Sequence, residues 1–361
     1  MLDKYGIDGH KMHYHVDKLA SWMGENKKDV FPVYVEISPV GHCNHRCTFC
    51  AVDYLGYKVR SLDINRMHVI LCDMGKHEIR SIMWAGEGEP LLHPELYRMI
   101  NWASDFKIDN AITTNGVALT EKFLERCGKN ISWIKVSLNA GTKEDYINVH
   151  KAKDQDWDKV WENLSTANLL RKRYKWPLTI GVQAVLLPEN RENIKTLVLL
   201  AKAKELDYVV IKPYSQHKKS LTRDYESVNY DTTEYNTILL ELENMSTDNT
   251  KVIVRHNAIE VKKEGIQRYH KCYATPYFWA YIMSTGDVYG CSAYLADDKF
   301  RYGNINTELF SSIWLGNKRI ESIDYISNKL NISDCRLNCR MDKVNQYLHE
   351  LKYPGIHRNF I

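Results

Sequence analysis

The sequence predicts an α/β fold built on a parallel sheet, followed by a smaller cysteine-bearing α+β region. Apolar, strand-like runs alternate with segments of helical spacing from Pro32 to Tyr214, and after Tyr214 this alternation fades. Strands that alternate with helices are typical of parallel sheets with right-handed crossovers. The chain has 361 residues, which is enough for one large domain with an appendage.

Six runs are predicted as strands, and five segments between them are predicted as helices. The strands are Val33–Ile37, Ile79–Ala85, Asn110–Thr114, Trp133–Leu138, Leu178–Leu187 and Tyr208–Lys212. The helices are Ile64–His77, Pro94–Asp105, Thr120–Gly128, Trp157–Tyr174 and Asn190–Glu205. Six strand–helix units are fewer than the eight of a closed (β/α)8 barrel.

Three regions follow from this pattern. We expect a helical arm at residues 1–31, with its helix over His15–Asn26, and the main α/β domain at residues 32–230. Residues 231–361 begin with a helix at Thr233–Asn244 and hold four of the nine cysteines.

Composition excludes several classes of protein. Hydrophobic residues make up 44% and charged residues 26%, which is typical of a globular domain. No apolar run approaches the ~20 residues of a membrane span, and Met1–Tyr5 lacks a signal-peptide core, so we expect no membrane association and a cytoplasmic location.

The net charge of +4 is too small to indicate binding of nucleic acid, but it suits binding of a small anionic substrate. In a reducing compartment, nine cysteines favour metal ligands over disulfides.

The most informative motif is the run C-N-H-R-C-T-F-C, which follows the first predicted strand. It holds Cys43, Cys47 and Cys50 with the spacing C-x3-C-x2-C. Three thiolates on one loop can hold three irons of a [4Fe–4S] cube and leave the fourth iron open for chemistry. The alternative is a zinc knuckle completed by His42 or His45.

The cysteine run resembles the signature of the radical S-adenosylmethionine (SAM) enzymes. The resemblance implies that SAM binds the open iron of a [4Fe–4S] cluster and is cleaved reductively to a 5′-deoxyadenosyl radical, which takes a hydrogen atom from the substrate. It also implies an open, partial (β/α)6 TIM barrel with its site at the carboxyl ends of the strands. A flavodoxin or a ferredoxin is the expected reducing partner.

Further motifs at the strand ends are similar to those of the same family. Gly86, Glu87, Gly88 and Glu89 precede a proline after the second strand and resemble its Gly-Gly-Glu-Pro motif, which meets the SAM amino group. Glu87 departs from the usual glycine, and its carboxylate can face the substrate.

The third and fourth strands end in residues that match other SAM contacts. Thr114 and Asn115 resemble the third-strand Thr-Asn-Gly motif. Ser137 and Asn139 resemble the Ser-Leu-Asp that meets the ribose, with Asn139 replacing the aspartate. His150 lies nearest the arginine that many relatives use for the SAM carboxylate.

Two more residues complete the expected SAM site by resemblance. Gln183, on the fifth strand, matches a position along the adenine. Phe49, just before Cys50, matches an aromatic residue that touches the adenine.

A second cysteine group resembles the C-terminal domain called SPASM. Its members, Cys272, Cys291, Cys335 and Cys339, have the shorter twitch-like pattern, which implies one auxiliary [4Fe–4S] cluster with four thiolate ligands. The alternative is a zinc site with four cysteine ligands.

Cys72 and Cys127 remain, and both lie in helical patterns among apolar neighbours. We interpret them as core residues, which makes quenching of a substrate radical by a cysteine thiol less favoured. An epimerisation that uses such a thiol is therefore the weaker hypothesis, and an oxidation with the auxiliary cluster as electron acceptor is the stronger one.

Substrate groups are expected where the sixth strand ends. Lys212 and His217 can meet a phosphate or carboxylate, although a solvated loop is the simpler interpretation of this segment. Glu87, Lys212, Tyr214 and His217 are the candidate general bases.

The leading hypothesis is a radical SAM oxidoreductase acting on a small, sugar-like molecule: a sugar, a sugar nucleotide or an aminocyclitol. Modification of a ribosomal peptide is the competing hypothesis, and only 42 residues precede Cys43, fewer than the ~80–90 of the peptide-recognition domain that many such relatives carry. A sugar epimerase or a non-catalytic metal scaffold are the remaining alternatives.

Overall fold

A computed structural model describes residues 4–25 and 27–360, so the predicted helix end at Asn26 and the chain ends at residues 1–3 and 361 lie outside the described residues. Ten strands are assigned among the described residues. In chain order they are β1 Tyr34–Ile37, β2 Ser81–Trp84, β3 Asp109–Thr114, β4 Trp133–Ser137, β5 Thr179–Leu186, β6 Tyr208–Pro213, β7 Lys251–Val254, β8 Trp279–Ile282, β9 Asp287–Tyr289 and β10 Arg301–Asn304.

Thirteen α-helices are assigned in the same part of the chain. They are α1 Val16–Met23, α2 Ile64–Lys76, α3 Leu96–Asp105, α4 Glu121–Cys127, α5 Lys143–His150, α6 Asp154–Tyr174, α7 Ile194–Ala203, α8 Thr233–Asn244, α9 His256–Glu264, α10 Thr275–Phe278, α11 Phe310–Leu315, α12 Asn317–Asn328 and α13 Asp342–Lys352. Asp63 caps α2 by accepting the N–H of Arg66 at 2.7 Å, as an N-cap carboxylate does.

All ten strands form one sheet in the order β10-β9-β8-β1-β2-β3-β4-β5-β6-β7. From β8 through β1 to β7 every neighbouring pair is parallel, and β9 and β10 add an antiparallel hairpin. The sheet keeps two edges, so it does not close into a full barrel. The predicted α/β fold class is confirmed, and the six predicted strands are β1 to β6.

The sheet extends beyond the predicted six strands at both ends. The strand β7 pairs with β6, and β8 pairs with β1 in the register Val35 to Ala280. Backbone hydrogen bonds therefore join the C-terminal region to the main domain. The division into 1–31, 32–230 and 231–361 stays a prediction.

The two faces of the sheet differ in chemistry because side chains alternate along each strand. In β4, Ile134 and Val136 are fully buried in the core that packs against the helices, whereas Lys135 and Ser137 lie on the opposite face and are half-buried. We call the space on this opposite face the lumen.

The two remaining cysteines lie on outer helices, as predicted. Cys72 lies on α2 but is only half-buried and outside the hydrophobic core, contrary to the prediction. Cys127 lies at the end of α4, fully buried in the core, where its thiol donates to the Phe123 carbonyl at 3.4 Å. None of the helices described is both long and apolar enough to cross a membrane.

Candidate active site

Cys43, Cys47 and Cys50 lie on the irregular loop after β1, with half-buried side chains. Burial, and then the neighbouring Cys50 and Cys43, raise the pKa of the Cys47 thiol well above its usual range. Burial, and then Glu89, raise the pKa of Cys43 to about 12. The three thiols therefore converge in one place, and binding of a metal there would release their protons.

The second cysteine group comes from separate segments. Cys272 precedes α10, Cys291 follows β9, and Cys335 and Cys339 precede α13. Burial, and then Cys272, raise the pKa of Cys339 to about 12, and burial raises that of Cys335 to about 11. Burial, and then Cys272 and Cys339, raise the pKa of the Cys291 thiol well above its usual range, so the fold brings all four predicted ligands together.

The spacing of the sulfur atoms distinguishes clusters from single zinc ions. A tetrahedral zinc with Zn–S bonds of about 2.3 Å holds its sulfurs about 3.8 Å apart. Among the described residues, only His45, Cys47 and His150 bring three candidate ligand atoms within 4.8 Å of one another. Neither cysteine group holds three sulfurs that close, so both groups fit a cluster of several irons better than one zinc.

The sulfurs of the second group are surrounded by hydrogen-bond donors. Thr275 Oγ1 lies 3.2 Å and Asn345 Nδ2 lies 3.6 Å from the sulfur of Cys272. Tyr294 Oη lies 3.6 Å from the sulfur of Cys335. Donors in these positions suit thiolate ligands, which accept hydrogen bonds, and the site therefore fits the implied cluster.

The loop after β2 packs against the first cysteine loop through glycine. A Cβ atom on Gly88 would lie 2.4 Å from the carbonyl oxygens of His42 and Val40. Gly86 has a φ of 127° and would bring a Cβ atom within 2.4 Å of the Cβ of Ser38. A residue with a side chain at either position would push the two loops apart.

Glu89 is buried and joins this loop to the end of β3. Its carboxylate accepts hydrogen bonds from Thr114 Oγ1 at 2.5 Å, from the N–H of Asn115 at 2.7 Å and from the N–H of Leu91 at 3.1 Å. Burial raises the pKa of Glu89 to about 7. The predicted motifs after β2 and β3 are therefore in direct contact, and their role toward SAM stays a prediction.

Glu87, a predicted general base, is also buried and engaged at both oxygens. Its Oε1 accepts the N–H of Ser284 at 2.7 Å, and its Oε2 lies 3.0 Å from Nη2 of Arg60. Arg60 in turn donates to Ser284 Oγ at 2.8 Å. This carboxylate links the loop after β2 to the segment after β8, an arrangement that suits positioning better than proton abstraction.

His150 and Asn139 are both fully buried and in contact with each other. Nε2 of His150 accepts the backbone N–H of Asn139 at 3.1 Å, and Nδ1 lies 3.3 Å from the sulfur of Cys47. The Asn139 side-chain oxygen accepts the N–H of Val185 at 2.6 Å. Burial, and then His45, lower the pKa of His150 to about 3. Both ring nitrogens have partners within the protein, and the contact of His150 with the SAM carboxylate stays a prediction.

The other predicted SAM residues lie around the same strand ends. Ser137 and Gln183 are opposite each other in the β4–β5 register. The ring of Phe49 lies 5.7 Å from that of His150, at an angle of 87°. Asn115 donates to Asn44 Oδ1 at 2.7 Å, inside the first cysteine loop.

Lys212, Tyr214 and His217 follow one another at the end of β6. Burial, and then the neighbouring Lys135, lower the pKa of Lys212 well below its usual range. Burial, and then Arg336, lower the pKa of His217 to about 4, and its ring stacks on Tyr54 at 5.2 Å. The backbone N–H of Tyr214 donates to Oη of Tyr230 at 2.9 Å.

Sequence analysis missed several charged residues near the lumen. Lys135 lies on the same face of β4 as Ser137; burial, and then Arg340, lower its pKa to about 7. Arg340 pairs with Glu36 of β1 at 2.6 Å, and Arg336 donates to Ser215 Oγ at 3.0 Å. Lys135 could have been noticed in the sequence, because it is a lysine within an otherwise apolar strand. No local sequence pattern identifies Arg336 or Arg340.

A cleft of about 520 Å³ opens between the end of β6 and the second cysteine segment. Tyr214, Arg336 and Cys335 line it, together with Lys218 and Lys262. The cleft opens to solvent next to the second cysteine group, and of the lumen residues Lys135, Arg336 and Arg340 only Arg336 lines it.

Comparison with known families identifies the two cysteine regions. Residues 37–201 match the family described as the radical SAM superfamily, and residues 272–340 match SPASM, an iron–sulfur cluster-binding domain. The chain therefore contains a radical SAM domain followed by a SPASM domain, and these two domains imply SAM and [4Fe–4S] clusters as its cofactors.

The names of two curated relatives refer to sugar and nucleotide chemistry. The dTDP-4-amino-4,6-dideoxy-D-glucose ammonia-lyase of Streptomyces venezuelae is 28% identical over 177 residues, which cover 48% of this chain and 36% of the relative. The S-adenosylmethionine-dependent nucleotide dehydratase of Lacinutrix mariniflava is 26% identical over 179 residues, 47% of this chain and 37% of the relative. The match thus spans little more than a third of each relative.

Solved structures support the fold. Streptococcus suis SuiB bound to S-adenosylmethionine has a TM-score of 0.66 at 18% identity, covering 94% of this chain and 79% of that one. The enzyme anSMEcpe with bound AdoMet has a TM-score of 0.59 at 19% identity, covering 87% and 88%. At these identities the likeness concerns the fold alone.

Proposed function

We propose that this protein abstracts a hydrogen atom from an anionic, carbohydrate-like substrate held in the lumen, and oxidises that substrate with the auxiliary cluster as electron acceptor. The two matched domains and the sugar- and nucleotide-related names of the curated relatives support this proposal. A flavodoxin or ferredoxin is the proposed reductant.

The observation that carries the proposal is a pair of lysines without anionic partners. In the described part of the chain, neither Lys135 nor Lys212 forms a hydrogen bond or an ion pair, although both amines are desolvated and their pKa values are lowered. Buried amines without a partner are costly to charge, and groups with such shifted pKa values are characteristic of functional sites. A phosphate, diphosphate or carboxylate in the lumen would supply the missing negative charge.

The chemistry is divided between cofactor and chain. The bound cluster and SAM supply a 5′-deoxyadenosyl radical. Cys43, Cys47 and Cys50 would hold that cluster and leave one iron for SAM. Lys135 and Arg340 would fix the anionic part of the substrate, and orientation of this kind supplies much of the catalytic advantage in such sites.

Oxidation of an alcohol would release one hydrogen atom, one proton and one electron. The bound SAM would supply the radical that accepts the hydrogen atom, and a side chain would accept the hydroxyl proton. Cys272, Cys291, Cys335 and Cys339 would hold the auxiliary cluster that takes the electron. Lys212 is the best-supported base among Glu87, Lys212, Tyr214 and His217, because burial lowers the pKa of its amine and an uncharged amine accepts a proton. The external reductant supplies the electron that cleaves SAM.

A redox-neutral elimination is the second candidate. The two curated relatives are named as an ammonia-lyase and a dehydratase, and both names describe loss of a small molecule. An epimerisation quenched by a thiol is less favoured, because Cys72 and Cys127 lie on the outer helices α2 and α4. Modification of a peptide is the remaining alternative.

The test is release of 5′-deoxyadenosine by anaerobically reconstituted enzyme with SAM and reductant. Nucleoside diphosphate sugars, aminocyclitols and short peptides would be compared, and each product would be weighed by mass spectrometry. Stimulation by an anionic sugar with loss of two hydrogens is the expected result. Loss of water or ammonia would favour elimination, unchanged mass would favour epimerisation, and stimulation by peptides alone would overturn the proposal.

A further inference from the structure

Asn139 and His150, two residues that the sequence associates with SAM, form a hydrogen-bonded chain that ends on a cluster ligand. We infer that His150 donates an N–H···S hydrogen bond to Cys47 and thereby raises the reduction potential of the SAM-binding cluster. His150 is then a positioning and tuning residue of the cluster. The inference rests on the radical SAM domain and is independent of the proposed substrate.

The direction of the hydrogen bonds follows from the backbone. The backbone N–H of Asn139 can only donate, and it lies 3.1 Å from Nε2 of His150. Nε2 must therefore be an unprotonated acceptor, and the single ring proton of the neutral imidazole is on Nδ1. Nδ1 lies 3.3 Å from the sulfur of Cys47, which as an iron ligand has no proton and accepts.

The neighbouring groups hold this arrangement in place. The side-chain oxygen of Asn139 accepts the N–H of Val185 at 2.6 Å, and its backbone oxygen accepts Nδ2 of Asn190 at 2.9 Å. The imidazole of His150 is 1% exposed, and the ring of Tyr146 lies 4.6 Å away. A ring fixed in this way cannot turn toward solvent.

A hydrogen bond to a ligating sulfur stabilises the more negative, reduced cluster, and such bonds are among the determinants of iron–sulfur potentials. His150 would therefore ease reduction of the cluster by the electron donor. The same contact would reduce the driving force of the electron that is passed to SAM.

The close grouping of His45, Cys47 and His150 could instead bind a single metal ion. Nε2 of His45 lies 3.3 Å from the Asp156 carboxylate, and Nε2 of His150 is taken by Asn139. Cys47 also belongs to the cysteine run that the radical SAM match covers. A hydrogen bond to a cluster ligand accounts for all three residues without a second metal.

The first test is a redox titration of reconstituted holoenzyme followed by electron paramagnetic resonance, with the SAM-binding cluster recognised by its response to added SAM. We expect His150→Phe to lower the potential of that cluster by about 59 mV or more, the one-electron equivalent of a tenfold change. His150→Gln, which keeps an N–H donor, should stay closer to the wild-type potential. Tyr294→Phe, beside Cys335, is the matched control and should move only the auxiliary cluster.

An unchanged potential in His150→Phe would overturn the inference, as would equal shifts of both clusters. A second measurement needs no variant: wild-type protein labelled with ¹⁵N-histidine should show hyperfine coupling between a histidine nitrogen and the reduced SAM-binding cluster. Absence of that coupling, or one equivalent of zinc that is lost in His150→Phe, would also overturn it.

Discussion

Nη1 of Arg340 lies 2.6 Å from Oε2 of Glu36, and the same nitrogen donates to Oη of Tyr34 at 3.0 Å. Arg340 directly follows the auxiliary ligand Cys339, whereas Glu36 lies in β1, just before the loop that carries Cys43. The ion pair therefore connects the two cluster regions through the lumen.

Removal of Arg340 should destabilise the protein. Glu36 is only 4% exposed, so Arg340→Met leaves a buried carboxylate without its cation. Because Arg340 is itself partly exposed, we expect a loss of about 2 kcal/mol, less than for a fully buried pair. The check is chemical denaturation of the reconstituted variant. The double variant Arg340→Met/Glu36→Gln should recover part of the loss, and a double variant as unstable as the single one would contradict the coupling.

Binding of an anion should depend on the charge of Lys135. Its pKa is lowered to about 7 in the free protein, and only the ammonium form attracts an anion. Affinity for a nucleoside diphosphate sugar, whose diphosphate charge is constant near neutrality, should therefore fall as the pH rises through about 7. We expect Lys135→Met to weaken binding about 10- to 100-fold, as for a charged hydrogen bond, and to flatten the pH profile.

Calorimetry on either side of pH 7 would measure both effects. The control is Lys143→Met, because Lys143 is on the surface and pairs with Asp154 at 3.0 Å. Equal loss of affinity in the two variants would argue against a lysine site in the lumen.

Iron content should report the two clusters separately. A variant with Cys43, Cys47 and Cys50 all changed to Ala should retain about four irons per chain, bound by the second cysteine group. Iron and zinc analysis after anaerobic reconstitution is the measurement. A variant without iron, or with one zinc in place of the four irons, would show that the second site is not a [4Fe–4S] cluster.

Gly88→Ala should impair the SAM-binding cluster selectively. The added Cβ would lie 2.4 Å from two backbone oxygens of the first cysteine loop, so this loop must move, at a cost of about 1–3 kcal/mol. We expect loss of iron from the first site and normal iron at the second. Gly9→Ala is the control, because nothing lies within 4 Å of its Cβ position. Full iron content in Gly88→Ala would contradict the close packing of the two loops.

Sequence patterns predicted the structure best where an element depends on residues that are close together in the sequence. The predicted helix Ile64–His77 ends one residue from α2, and Thr233–Asn244 coincides with α8, because periodicity and caps fix helices of this length. The helix α5, Lys143–His150, was missed because it is short and mostly polar, so it lacks an apolar stripe.

The site was predicted only in part, because its members depend on contacts that are distant in sequence. Residue types and spacing identify the cysteines and strand-end motifs. Residue types and spacing do not identify the partners of Glu87 and His150. Glu87 contacts Ser284, 197 residues away in the sequence, and His150 contacts Cys47, 103 residues away. Such contacts arise from the sheet order, and no local pattern contains them.

The pairing of β1 with β8 has a consequence for how the protein is made. One neighbour of the strand that precedes the first cysteine loop is translated some 240 residues later, with Tyr34 opposite Trp279. At about 5–20 residues per second, that edge of β1 stays unpaired for roughly 12–50 s on the ribosome. The nascent chain therefore exposes an incomplete sheet edge, and the scaffold around the first cysteines is completed only after β8 has been synthesised. Insertion of the first cluster should accordingly follow the synthesis of β8.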